Sequence, residues 1–125
     1  IGANFSGANL KEAWVNSADL TEANFCGALL EEANLESADL ADSNFSGANL
    51  RNGFLSRINC KNTTLTQADL NGCDITEAFF QKAILIGADL SNTKLHQTAF
   101  HDINLAESIF NGAILDETSF RSQSQ

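Results

Sequence analysis

Three cysteines and two histidines are the residues in this chain best suited to nucleophilic or metal chemistry. An odd number of cysteines cannot pair completely, and Cys26, Cys60 and Cys73 lack the short spacings that hold zinc. His96 and His101 stand five residues apart, and nothing in that spacing adds an acid or a cysteine to either ring. Asn and Asp are far more numerous and recur so regularly that backbone bonding explains them better than catalysis, because short polar side chains satisfy neighbouring amides. No Gly-rich phosphate loop, nucleophile elbow or activated Cys/His pair occurs. Chemistry alone therefore predicts no enzyme, no cofactor and no metal.

The chain behind these residues is 125 residues long, 43% hydrophobic and 18% charged, one domain's worth of ordinary globular composition. It has no run of 18 apolar residues and no cationic segment before an apolar one, so neither membrane insertion by this segment nor a secretory signal is expected. Sixteen acids against seven bases give a net charge of -9, the wrong sign for neutralising phosphates, and direct nucleic-acid binding is not expected. The chain opens at Ile1 and contains no Met, which reads as excision from something longer.

Numbering by fives exposes a repeat. All 24 positions divisible by five from Phe5 to Phe120 are apolar: fourteen Leu, seven Phe, Val15, Ile75 and Cys60. With this position called i, fourteen of the 24 residues at i-2 are Ala and thirteen of the 24 at i-1 are Asn or Asp. A period of five fits neither a continuous helix nor a long strand. It fits a short extended segment with i-2 and i on one side, followed by a turn at i+1 and i+2. Seven of the eight glycines fall at i+2, where a corner needs backbone freedom. A longer period of twenty aligns Phe5 with Phe25 and Phe45, and Phe80 with Phe100 and Phe120, so four repeats close one turn of a coil. Six such coils at about 4.8 Å each form a rod roughly 29 Å long. A lone coil buries too few large side chains to offset the entropy of twenty ordered residues, so stability is shared between stacked neighbours.

These A-[N/D]-L-x-x units resemble the pentapeptide-repeat family, and the likeness runs from Gly2 to Phe120. The resemblance implies an all-β fold, a right-handed quadrilateral parallel β-helix over residues 1–120, with 121–125 as a polar tail. It also implies that i-2 and i point inward and the other three positions outward. The inward core then includes Phe5, Leu10, Leu20, Phe25, Leu40, Phe45, Leu50, Leu70, Phe80, Leu90, Phe100 and Phe120. Cys60 and Cys73 become buried structural thiols and Cys26 an outward one. His96 and His101 sit at i+1 on adjacent faces, with no acid or cysteine expected to complete a ligand set.

Function is then expected on the surface. Asp19, Glu22, Asp39 and Asp42 make an acidic patch on one face, followed along the rod by Lys61, Lys82, His101 and Arg121. Phe79, Ile84 and Ile86 form the best lateral apolar cluster. Phe110 and Phe120 leave an uncovered C-terminal end, which predicts end-to-end pairing of two copies. The uninterrupted repeats resemble the cyanobacterial and plant branch of the family, implying a rigid protein-interaction scaffold within a larger regulatory or thylakoid-associated protein. The alternative follows from the quinolone-resistance branch: an acidic DNA mimic that binds a DNA-binding enzyme such as gyrase. The compartment is left open between cytoplasm and thylakoid lumen, and the protein partner is unidentified.

Overall fold

The computed structural model describes residues 1–122. Its organising contact is a parallel pairing of each i-1 residue with the residue twenty further on. This register runs unbroken from Asn4 with Asn24 to Ala99 with Ser119. Most pairings are single-residue bridges, because only three residues, i-2 to i, lie between successive turns. Among the described residues, three segments reach strand length: β1 (Phe79–Gln81), β2 (Ala99–His101) and β3 (Ser119–Arg121), parallel and in that order. The expectation of an all-β chain is thus met by ladders rather than by long strands. Backbone bonds from i+3 to i close most corners, as from Ala8 to Phe5 at 3.0 Å. Among the described residues none closes Leu55–Ile58, Phe80–Ala83, Leu90–Thr93 or Phe100–Ile103, and at two of these corners β1 and β2 run on to i+1.

Each coil is sewn to the next by amides along the rod. The Phe45 N–H donates to the Thr64 carbonyl at 2.6 Å, the Asn44 N–H to the Ala23 carbonyl at 2.9 Å, and the Gly47 N–H to the Thr66 carbonyl at 2.9 Å. The i+1 amide is satisfied differently. All thirteen Asn and Asp residues at i-1 accept it on Oδ1, from Ser6 on Asn4 at 3.1 Å to Ala106 on Asn104 at 3.0 Å. The repeat's polar signature is therefore a turn-building device.

The corners are left-handed throughout. Every i+2 residue from Gly2 to Glu117 has φ between +55° and +76°, and seventeen of them are not glycine. Asn52, Arg57 and Glu77 hold a conformation that costs an L-residue roughly 1–2 kcal/mol, which the ladder bonds on either side outweigh. Glycine is thus a favourable occupant of the corner and not a condition for it.

The core fills the middle of the rod. Phe25, Leu40, Phe45, Leu50, Leu70, Phe80, Leu90 and Phe100 are buried, whereas Phe5, Leu10 and Leu20 at the first coil are half-buried and Phe120 at the last is 49% exposed. Phenylalanine rings stack down the axis with centroids 4.5 Å apart for Phe25 and Phe45 and 5.0 Å for Phe80 and Phe100. Buried hydroxyls at i-2 find carbonyls: Thr63 Oγ1 donates to Leu40 at 2.7 Å and Thr98 Oγ1 to Ile75 at 2.5 Å. Cys60 is the smallest i residue, and Ile58 beside it is one of only two large i-2 residues, so volume is exchanged within one segment. What remains is an apolar cavity of about 10 Å³ bordered by Leu40, Cys60 and Phe80, too small and too apolar to hold water.

Candidate functional site

Because the interior is filled with packed side chains, function falls to the outward columns. The twenty-residue register places Asp19, Asp39, Asn59, Phe79, Ala99 and Ser119 in one i-1 column. The same face carries Glu22, Asp42, Lys61, Lys82, His101 and Arg121 at its turn positions. The two aspartates are engaged locally: Asp19 Oδ1 accepts the Thr21 hydroxyl at 2.7 Å and its N–H at 3.1 Å. Asp39 Oδ1 accepts the Ala41 N–H at 3.1 Å and Asn59 Nδ2 at 3.2 Å. The Thr21 hydroxyl, and then its amide, hold the Asp19 carboxyl below the usual carboxylate range. This favours the folded state above the ordinary carboxyl pKa, and the advantage is lost as pH falls through the lowered one. Glu22 and Asp42 project from left-handed corners into solvent.

Among the described residues the face's charges are not spent on ion pairs. Among the described residues the ion pairs join Lys11 to Glu31 at 3.6 Å, Arg51 to Asp69 at 3.1 Å, and Arg57 to Glu36 at 3.7 Å and Glu77 at 3.9 Å. Arg51 thus reaches sideways to Asp69 rather than completing a ladder with Glu31. Neither the four acids of the patch nor Lys61, Lys82 and Arg121 enters any of these pairs. An anionic half and a half with three cations and one acid, Asp102, therefore share one face of fixed backbone.

The apolar candidates are dispersed by comparison. Phe79 and Ile84 are exposed, Ile86 is half-buried, and Phe79 meets the His101 ring edge-on with centroids 6.3 Å apart. Trp14, at 83% exposed, is the barest large hydrophobic side chain among the described residues. At the C-terminal end, Phe110 is half-buried and packs edge-on against both Phe100 and Phe120 at 6.3 Å. There Phe100, Ile103, Leu105, Phe120, Arg121 and Ser122 border an open recess of about 440 Å³.

The cysteines and histidines divide. Cys60 and Cys73 are buried and Cys26 is partly exposed. Burial pushes the Cys73 thiol up to about 12 and the Cys60 thiol higher still, which makes both inert as nucleophiles at neutral pH. The reading that no acid would join a histidine is corrected. His96 Nδ1 lies 3.1 Å from Asp116 Oδ2, and Nε2 lies 3.4 Å from Glu117 Oε1. The sequence hid this because Asp116 is twenty residues away along the chain but one coil away in space. Among the described residues, no helix is long and apolar enough to cross a membrane.

Comparison with known proteins places these features in context. The sequence family described as pentapeptide repeats matches residues 18–57, 55–92 and 83–121. The structure of a pentapeptide repeat protein from the Arabidopsis thaliana thylakoid lumen is similar with a TM-score of 0.73 and 33% identity. That match covers 74% of this chain and 64% of the Arabidopsis chain, so the present chain spans less than two thirds of that protein. Rfr23 from the cyanobacterium Cyanothece 51142 is similar at 23% identity and a TM-score of 0.49, over 95% of this chain and 88% of that one. QnrB1, a plasmid-mediated fluoroquinolone resistance protein, is similar at 17% identity and a TM-score of 0.45, over 97% and 67%. No curated protein matches the sequence.

Proposed function

Because the chain belongs to the pentapeptide-repeat family, we propose that it is a rigid, non-catalytic scaffold that presents flat charged faces to a protein partner as one module of a larger protein. In this reading residues 1–120 form about six right-handed coils of four repeats each. Residues 121–125 are the polar tail, of which 123–125 lie outside the described residues. The observation that carries the reading is the face bearing Asp19, Glu22, Asp39 and Asp42 at one end and Lys61, Lys82 and Arg121 at the other, with none of these charges spent on an ion pair among the described residues. A backbone fixed by the coil-to-coil ladder presents such charges with little entropy left to lose on binding, and complementary charge sets orientation and encounter rate.

Titration with an oligolysine peptide tests the acidic half. Binding should weaken steeply as salt rises, because surface pairs are screened beyond about 8 Å at physiological ionic strength. Replacing the four acids together by Asn or Gln should weaken it without unfolding, since Asn keeps the Oδ1 acceptor that the turn uses. Salt-insensitive binding, or binding untouched by the replacement, contradicts the proposal.

The acidic DNA-mimic reading draws support from the net charge of -9. It asks, however, for anionic charge along the whole rod, and residues 1–50 carry eight acids and one base while residues 51–125 carry eight acids and six bases. A gyrase supercoiling assay decides between them: inhibition favours the mimic, and unimpaired supercoiling favours the scaffold. The open recess beside Phe120 supports end-to-end pairing of two copies, because uncovered strand edges and apolar layers pair readily. Sedimentation of the wild type against a Phe110→Glu/Phe120→Glu variant should show concentration-dependent association only in the wild type. A monomeric wild type, or association indifferent to the change, overturns the pairing.

A further inference from the structure

His96, Asp116 and Glu117 are brought together by the twenty-residue register on the last two coils, outside the dipolar face. The ring is bracketed by two carboxylates, Asp116 at Nδ1 and Glu117 at Nε2, and one ligand atom from each of the three residues falls within 4.8 Å of the others. Backbone on both sides is fixed. The Leu95 N–H donates to the Ile114 carbonyl at 2.9 Å and the Gln97 N–H to the Asp116 carbonyl at 3.1 Å. Thr118 Oγ1 donates to the Leu95 carbonyl at 2.6 Å. Gln97 and Glu117 both occupy the left-handed corner, with φ of +56° and +57°. The three side chains therefore start from rigid anchors, and only their own torsions remain free.

The geometry points to a surface site for a divalent transition-metal ion of the zinc class, ligated by His96, Asp116 and Glu117 and bridging the last two coils. Zinc takes imidazole nitrogen at about 2.0–2.1 Å and carboxylate oxygen at about 2.0–2.2 Å. Two donors on one tetrahedral ion then stand about 3.4 Å apart, close to the 3.1 Å between His96 Nδ1 and Asp116 Oδ2. The Glu117 carboxylate faces the other ring nitrogen and has to swing round the ring to join them. Its side chain is 62% exposed, so this is a change of rotamer in water with no core to disturb. One imidazole and two carboxylates suit zinc, copper or nickel. They do not suit magnesium or calcium, which prefer all-oxygen sites. Three protein ligands leave a coordination position to water. Because the ligands lie on successive coils, the ion would tie the weakest coil to its neighbour and stabilise the folded end by mass action.

Calorimetric titration with zinc chloride tests the site, with magnesium chloride as the contrasting ion and Cys26→Ser as the background that removes the exposed thiol. The expected result is one zinc per chain, no magnesium heat, and a raised melting temperature with zinc. His96→Ala, Asp116→Asn and Glu117→Gln should each weaken binding by ~10–100-fold, the range that loss of even an outer-shell partner produces. His101→Ala should leave it unchanged. Nitrogen chemical shifts of the imidazoles should move for His96 and stay for His101. Absence of zinc binding overturns the site and leaves the three residues as a charge clasp. So does binding that survives His96→Ala, that is indifferent to both carboxylate changes, or that follows His101.

Discussion

The middle of the rod and its two ends are built from the same residue types and behave differently. Phe25 and Phe45 are buried on both sides by neighbouring coils, while Phe5 in the same column is half-buried; Phe100 is buried, while Phe120 beneath it is 49% exposed. Ring stacking is only slightly looser at the ends, at 4.9 Å for Phe5 with Phe25 and 5.1 Å for Phe100 with Phe120. What changes is the number of faces covered. Position in the stack, more than residue identity, sets how much each side chain contributes, as in other one-dimensional repeat folds.

The sharpest test of that difference is one substitution made twice. Leu50→Asp places a carboxylate in a layer 1% exposed and should cost more than the roughly 2–5 kcal/mol of a buried Leu→Ala truncation. Leu10→Asp, in a half-buried layer with water beside it, should cost distinctly less. Chemical denaturation of both variants checks the ranking, and equal losses break the comparison.

Next in size is Cys60→Leu, which adds volume beside Ile58 and should destabilise by about 1–3 kcal/mol through overpacking. Ile58→Ala in the same chain should recover much of that loss, a coupling readable in a double-mutant cycle. Additive effects would show that the two residues do not share one volume.

At the corners, Gly47→Ala should cost about 1–2 kcal/mol, because its φ of +67° is strained for alanine and nothing lies near its missing Cβ. Gly72→Ala should cost more, since the Asn52 side chain already occupies that space. Thermal melts of the pair test this.

The smallest effects concern thiols. In the native protein a thiol reagent should modify Cys26 alone, with Cys60 and Cys73 following only on denaturation. Cys73 has its thiol pushed from 9.0 to about 12 in the folded state. The contribution of this thiol to stability should therefore be level from neutral pH to about pH 9, where neither state ionises, and fall from there toward pH 12 as unfolded thiols lose protons. A flat alkaline melting profile contradicts this.

Much of the fold was legible in the sequence because the repeat has no insertion. The five-residue phase grouped Leu50 with the other apolar residues, the family resemblance turned that group inward, and the recurrence of Asn and Asp pointed to turn building, which all thirteen side chains perform. Glycine told less than it promised: it marked the corner, but Glu12, Arg57 and Lys82 adopt the same left-handed backbone. The exchange of volume between Ile58 and Cys60 was missed because each looked like a separate departure from consensus. The bracket around His96 was missed for another reason. Comparing His96 with His101 reads along the chain, whereas its carboxylates lie in the next coil, a direction visible only by stepping twenty residues to Asp116. Arg51 and Asp69 pair across a step of eighteen, which the strict column also hides.

Native-state hydrogen exchange, resolved by residue, tests the dependence on stacking most directly. The slowest amides are expected at Phe45, Leu50, Leu65 and Leu70, with protection falling coil by coil toward Phe5 and toward Asp102. Uniform protection along the rod, or a most protected region at either end, would contradict it.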